Sequence, residues 1–345
     1  MRNVADCAGA PPPAATINSA TQYPGRLMAD DQRETMAELV SRPSWMRNIP
    51  DDAPLTTLSI PGTHNSCSLD GPLGVGKTQN HDLSDQLDAG IRFFDIRLAH
   101  HQDDLCVHHD IVCMERRYSE VLTNLADFLK RHPSETILLS ISNEDRVDSA
   151  LGKLAPSQVL CKLSSMASKD CPDENTRSFE DTFNARTQET IGDAPLFYNF
   201  GPARHTLTSG TTLGELRGKI VLLRRFEAGD DVGFDTTYWP ENQSFRSAVP
   251  PFYDIEDRYQ NPGDDNKFDF VVSHLEDARS GDPKDLFITF SSAVDLTARG
   301  YAETINPRLN DYLAASPPGR LGIVVMDYFE KPPDLVPNVI KANST

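Results

Sequence analysis

The chain has no stretch approaching the roughly 18 consecutive apolar residues that a membrane-spanning helix needs. Its first residues lack a basic segment followed by an apolar core, so no signal peptide is visible. Basic residues are few beside acids, 33 Lys and Arg against 51 Asp and Glu, and the formal net charge is -18. A field of that sign repels nucleic acid and gives no broad grip on anionic bilayers, so any phosphate binding must be local. Cysteine is rare as well: six residues with no CxxC spacing argue against a disulfide scaffold and a structural zinc site. Two pairs lie close in sequence, Cys106 with Cys113 and Cys161 with Cys171, and either bridges or buried thiols fit them. No internal repeat is present. Asn242-Gln243-Ser244 forms a glycosylation sequon, which alone fixes no compartment, so secreted and cytoplasmic both stay open.

What is present is a chain of 345 residues, 38% hydrophobic, long enough for a full core. Residues 1–28 are rich in Pro, Ala and Ser, carry no periodicity and read as a mobile tail; residues 29–345 read as one catalytic domain. A helical pattern runs from Asp30 to Ser41 and stops at Pro43. Short apolar runs then recur: "LTTLSI" to Ile60, "IRFFDIRL" to Leu98, "DLCVH" to His108, "TILLSI" to Ile141, "PLFYNF" to Phe200, "KIVLLRRF" to Phe226, "LFITF" to Phe290 and "LGIVVM" to Met326. Helical patterns such as "DLSDQLDAG", "YSEVLTNLADFLKRHP" and "YAETINPRLNDYLAAS" fall between several of them. Continuous apolar strands alternating with helices predict parallel pairing with both faces covered, and eight candidates predict a distorted TIM-type (β/α) barrel. The stretches 145–195 and 228–285 are poor in pattern, so irregularity is expected there.

In such a barrel chemistry sits on the loops after the strands. After the first run, past a Pro61-Gly62 turn, comes His64; the second ends in Asp95 and Arg97; the third delivers His108 and His109. The fourth leads to Ser142, Asn143 and Glu144, the sixth to Arg224 and Arg225, and the last to Asp327 and Tyr328. Each has a structural reading on its own: a hydrogen-bonding histidine after a strand, an interior ion pair, a solvated strand end. Together they form a kit for splitting a phosphodiester without metal, with one histidine as base, the other as acid, arginine on the phosphate and carboxylates tuning the imidazoles.

The blocks "LSIPGTHNS", "GIRFFDIRL", "VHHD", "PSETILLSI", "GKIVLLRRF", "YWPENQSF", "IEDRY", "INP" and "VVMDY" occur in the order found in bacterial-type phosphatidylinositol-specific phospholipases C, and from Leu55 onward the chain resembles that family. The resemblance implies a distorted TIM barrel that cleaves phosphatidylinositol by attack of the inositol 2-hydroxyl, giving diacylglycerol and a cyclic inositol phosphate. It implies His64 as general base, Asp327 as its orienting carboxylate and His109 as general acid. Arg97 would hold the phosphate with Asp95 in support, while Arg225, Asp257 and Tyr259 would line the inositol pocket, joined by Asn65 and Ser142. Calcium-dependent eukaryotic relatives offer a carboxylate where this chain has Arg97, which implies a metal-independent enzyme with no cofactor. The implied partner is phosphatidylinositol at a membrane surface, met peripherally by a monomer with no protein partner.

Departures from the family pattern are specific. Asn65 stands where an aspartate is usual; an amide can orient His109 but adds no charge to raise its pKa. Ser140-Ile141-Ser142-Asn143 lacks the lysine expected after the fourth strand, His109 is followed by Asp110, and the segment after Phe290 is short and has no tryptophan. Two other readings therefore stay open: a weakened barrel that only binds inositol lipids, and an enzyme acting on another glycerophosphodiester or a glycosyl-phosphatidylinositol anchor. "GPLGVG", Gly71 to Gly76, is a candidate lipid-dipping loop. With Lys77 and Thr78 it also spells GxxxxGK[ST], but the polar "NSCSLD" before it is no apolar strand, so a nucleotide loop is not expected.

Overall fold

The computed structural model describes residues 42–70, 76–109, 112–144, 175–192, 195–201, 204–248, 252–295 and 297–344, with the backbone alone for His109, Val112, Cys113 and Glu115. The expected tail over 1–28, the helix from Asp30 to Ser41, the loop over 71–75, Asp110, and the Cys161 and Cys171 pair lie outside the described residues, as does the side chain of Cys113.

One eleven-stranded sheet organises the chain: β1 (Ser59–Thr63), β2 (Phe93–His101), β3 (Asp104–His109), β4 (Val112–Arg117), β5 (Ile137–Asn143), β6 (Ile220–Arg225), β7 (Phe234–Asp235), β8 (Ser244–Arg246), β9 (Tyr253–Glu256), β10 (Leu286–Phe290) and β11 (Gly322–Met326). The strand order is β7-β6-β5-β2-β1-β11-β10-β9-β8, and every pair from β7 to β9 along it is parallel. β8 joins β9 antiparallel. This is the irregular TIM-type barrel the alternating runs predicted. No ladder joins β7 to β8 among the described residues; there the wall is continued by side chains, with Phe234 edge-on to Tyr253 at 5.7 Å. Helices α1 (Leu83–Ala89), α2 (Tyr118–Arg131), α3 (Phe179–Ile191), α4 (Leu213–Leu216), α5 (Asp264–Ser280), α6 (Ala298–Ala315) and α7 (Leu335–Lys341) accompany the strands. β1, β10 and β11 are buried along their whole length, as strands covered on both faces must be.

Four sequence expectations need correction. "DLCVH" is not a barrel stave: β3 turns back antiparallel on the long β2 and pairs with β4. Val107 lies opposite Leu98, so this hairpin returns the backbone of His108 and His109 beside Arg97. "PLFYNF" forms only single bridges, Phe197 to Ile220 and Phe200 to Val232. The remaining staves are β7 and β9, which lie within the 228–285 stretch that showed no pattern because each is only two to four residues long. Finally, Pro61 and Gly62 do not turn; they continue β1 opposite Val324 and Val325. Gly62 is required by packing, since a Cβ there would lie 2.8 Å from the Phe93 ring. The turn comes later, at Asn65, with φ 42.

The N-terminal end of the barrel is closed by a buried ion pair. Arg92 Nε donates to Glu135 Oε2 at 3.0 Å, and its other nitrogens donate to the carbonyls of Leu87, Ile91, Arg42 and Pro43. Burial draws the Arg92 pKa down to about 10 against the pull of Glu135. That end is a structural plug, which leaves the opposite rim for chemistry.

Candidate active site

β1 ends at Thr63, and the next residue, His64, projects from the turn at the C-terminal rim. Its Nδ1 lies 2.9 Å from Oδ1 of Asp327, which follows β11 and is 1% exposed. The register of β1 against β11 dictates this meeting: Thr63 pairs with Met326, and the next residue of each strand carries one partner. Gln79 fixes both loops by donating from Nε2 to the carbonyls of His64 and Met326, at 3.0 and 2.9 Å. Asn306, one position before the Pro307 inside α6, donates to the carbonyl of Asp327 at 2.8 Å.

On its other side His64 faces Arg97, with Nη2 3.2 Å from Nε2. Asp95 and Arg97 sit two apart on β2 and so share the barrel face. Asp95 is fully buried; it lies 3.6 Å from Arg97 Nε, 3.4 Å from Arg225 Nη1 of β6, and accepts the backbone N–H of Asn65 at 3.2 Å. Burial favours its neutral acid, but Arg97, Arg225, His64 and the Asn65 amide outweigh that and hold its pKa below the usual carboxylate range. Glu144, just past β5, reaches 3.6 Å from Arg97 Nη1 and accepts the Ser142 hydroxyl at 3.4 Å. Ser142 is therefore engaged with a neighbouring carboxylate, and an anionic group occupies the rim after β5, where the expected lysine is missing.

A second group of side chains beside this cluster comes from β6 and from the loops after β7 and β9. Arg225 packs over the Trp239 ring at 3.8 Å, and the indole Nε1–H of Trp239 donates to Asp257 Oδ2 at 2.8 Å. Burial raises the Asp257 pKa, opposed by that hydrogen bond and by Arg225. Tyr259 is half-buried, and burial pushes its phenol pKa up. Its backbone is held by Asn242, whose Oδ1 accepts from the N–H groups of Tyr259 and Gln260, both at 2.8 Å. The sequon asparagine thus has a second use, as a clamp on the loop after β9.

The structure brings together His64, Asp95, Arg97, Ser142, Arg225, Asp257 and Asp327. The side chain of His109 lies outside the described residues; its backbone pairs with Val112 at the hairpin end. Asn65 is 2% exposed, and neither Oδ1 nor Nδ2 of its amide has a partner among the described residues. Trp239, Asn242, Gln79 and Asn306 were not candidates. Only the blocks "YWPENQSF" and "INP" carried a trace of three of them, Trp239, Asn242 and Asn306, because a clamp residue has no chemistry of its own to betray it. The nucleotide-loop reading finds no footing here: Thr78 is 1% exposed with its hydroxyl donating to the Asn65 carbonyl, and Asp327 belongs to His64. Among the described residues no cluster of three or more His, Cys, Asp or Glu is placed to hold a metal.

A (β/α) barrel with a paired histidine, two arginines and buried carboxylates at one rim defines a class of protein equipped to handle a phosphodiester. Within that class, residues 51–153 match the X domain of phosphatidylinositol-specific phospholipase C. The chain is 29% identical over 315 residues to the 1-phosphatidylinositol phosphodiesterase of Listeria monocytogenes, covering 88% of this chain and 86% of that protein. The Staphylococcus aureus protein of the same name is 27% identical over 304 residues, covering 83% and 88%. A solved structure of the S. aureus phosphatidylinositol-specific phospholipase C superposes with a TM-score of 0.73 at 25% identity, covering 90% of this chain and 99% of that one. The L. monocytogenes enzyme superposes with a TM-score of 0.65 at 28% identity, covering 89% and 100%.

Proposed function

We propose that this chain is a metal-independent phosphatidylinositol-specific phospholipase C. The observation that carries the reading is the two-sided grip on His64, Asp327 at Nδ1 and Arg97 at Nε2, beside a buried Asp95 that anchors both arginines. In the reaction His64 Nε2 takes the proton of the inositol 2-hydroxyl, and that oxygen attacks phosphorus as the bond to the diacylglycerol oxygen breaks. The leaving oxygen takes a proton from His109, giving diacylglycerol and a 1,2-cyclic phosphate; water and the reversed proton transfers then open the ring. Arg97 neutralises charge on the non-bridging oxygens, the work a divalent cation would otherwise do. Arg225, Asp257 and Tyr259 receive the inositol ring, and the Asn65 amide is assigned to orienting the acid.

No helix among the described residues is long and apolar enough to cross a membrane, and the contact with the bilayer proposed here is peripheral. Tyr238, 68% exposed after β7, and Val294, 37% exposed after β10, stand on loops of the site's own rim and are suited to touch lipid. Phosphorus NMR of the protein incubated with phosphatidylinositol in mixed micelles tests the reading. Appearance of a cyclic inositol phosphate, unaffected by chelator, is the expected result. Tight inositol-lipid binding without product would make the chain a binder, and product only from another phosphodiester would reassign the substrate.

A further inference from the structure

Trp239 stands where three side chains of the site meet. Its edge N–H donates to Asp257 Oδ2 at 2.8 Å, and its face carries the Arg225 guanidinium at 3.8 Å. The far edge meets Phe290, ring centroids 5.9 Å apart at 89°, and Phe290 meets His64 edge-on at 6.1 Å. Trp239 lies four residues beyond the two-residue β7, where no ladder holds the chain to β8, so its position rests on side-chain contacts, including Phe245 at 5.7 Å.

An indole has a negative face and a positive N–H edge, so one ring can satisfy a cation and an anion in two directions. Arg225 and Asp257 left to themselves would be drawn into a direct ion pair, using up the groups that a polyol needs. With the indole between them, Arg225 reaches Asp95 instead, and Asp257 is held through Oδ2 alone; its Oδ1 makes no hydrogen bond among the described residues.

We propose that Trp239 is a positioning residue for headgroup recognition: it keeps Asp257 and Arg225 apart and aimed, so that Oδ1 of Asp257 and the edge of Arg225 are presented to adjacent hydroxyls of a cyclic polyol. The inference rests on the phospholipase reading for the identity of that polyol. The charged and titratable groups facing Asp257 are Arg225 from β6, Lys267 from α5, His64 after β1 and the Tyr259 phenol after β9, with the Trp239 N–H beside them. Burial raises the Asp257 pKa and the indole N–H opposes that, so removing the N–H raises it further and moves the acid limb of headgroup binding to higher pH.

Two measurements decide it. The first uses the unmodified protein, which has two tryptophans. Trp45 donates to the Gly90 carbonyl at the opposite end of the barrel and serves as the internal control. In a nitrogen-15 spectrum the Trp239 indole N–H resonance is expected to titrate as Asp257 protonates, with a midpoint displaced upward from that of an ordinary aspartate, and to shift when myo-inositol is added, while that of Trp45 stays still. The second compares Trp239→Phe, which keeps a ring over Arg225 but has no N–H, with Trp239→Leu, which has neither. Trp239→Phe is expected to raise KM for phosphatidylinositol about three- to tenfold, with little change in kcat and an acid limb at higher pH; Trp239→Leu is expected to lose kcat as well. A Trp239→Phe protein with the parent's KM and acid limb overturns the proposal, as does an indole resonance indifferent to both acid and myo-inositol. If the parent cleaves no phosphatidylinositol but the resonance answers to myo-inositol, the phospholipase reading fails and the role of Trp239 stands.

Discussion

Arg97 Nη2 lies 3.2 Å from His64 Nε2, on the side of the imidazole away from Asp327. A guanidinium has no lone pair to offer, so Nε2 must accept, and the network assigns the ring proton to Nδ1, donating to Asp327. Nε2 of His64 is thereby covered by the cation proposed to meet the phosphate. Replacing His64 with Ala removes the proposed base, and kcat is expected to fall by about 10²–10⁴-fold. Asp327→Asn keeps the shape but lets the ring take the other tautomer, with an expected loss of about 10⁴-fold in kcat and little in KM. Steady-state kinetics on micellar phosphatidylinositol check both; an Asp327→Asn enzyme within tenfold of the parent would remove the tautomer role.

Arg97 answers to three partners at once: Asp95 at 3.6 Å, Glu144 at 3.6 Å and His64 at 3.2 Å. A planar fork can do this and a lysine ammonium cannot. Arg97→Lys is expected to lower kcat/KM by about 10²-fold or more, a loss of about 3 kcal/mol in transition-state stabilisation. Chelator is expected to leave the parent rate unchanged. A parent enzyme inactivated by chelator and restored by calcium would show that Arg97 does not stand in for a cation.

Most of this was legible in the chain, and the parts that were not share a physical cause. The staves β1, β2, β5, β6, β10 and β11 announce themselves because strands covered on both faces must be apolar throughout. β7 and β9 do not, since two to four residues carry no period, and aromatic side chains rather than hydrogen bonds continue the wall beside them. His64, Asp95, Arg97 and Asp327 were readable as strand-end residues. Trp239 and Asn242 were not, because their work depends on which loops the fold lays against each other. Pro61-Gly62 misled as a turn, since sequence alone does not show that Gly62 serves the Phe93 ring.

Asn65 offers a test of the acid. Its amide is buried, unpartnered among the described residues, and sits in a left-handed turn that Asn tolerates. A carboxylate at this position would favour the imidazolium of His109, the proposed acid, and raise its pKa. Asn65→Asp is therefore expected to move the alkaline limb of kcat to higher pH by about one unit, while costing stability through a second buried carboxylate near Asp95. A pH–rate profile and a thermal melt together check this. An unchanged alkaline limb would separate Asn65 from the acid.

Lys267 has the largest expected effect on stability. It is fully buried on α5, with Nζ 2.9 Å from Glu256 Oε1 and 2.9 Å from the Arg258 carbonyl, and Glu256 is buried on β9 with Ser244 and Arg258 on its other oxygen. Burial alone would raise the Glu256 pKa, but Lys267, the Ser244 hydroxyl and Arg258 bring it below its ordinary 4.5. A carboxylate depressed in the folded state contributes stability that is present in full above its unfolded pKa and is lost as pH falls through the folded value. Lys267→Met strands that carboxylate and is expected to cost about 3–5 kcal/mol at neutral pH. The deficit against the parent should shrink as acid protonates Glu256, so the two unfolding midpoints converge as pH falls through its depressed folded pKa. Because Lys267 also pins the backbone one residue after Asp257, KM should rise in the same variant at temperatures where it remains folded. Denaturant titrations at neutral and acid pH measure the first effect; a deficit that does not change with pH would mean that packing, not the ion pair, holds α5 to β9.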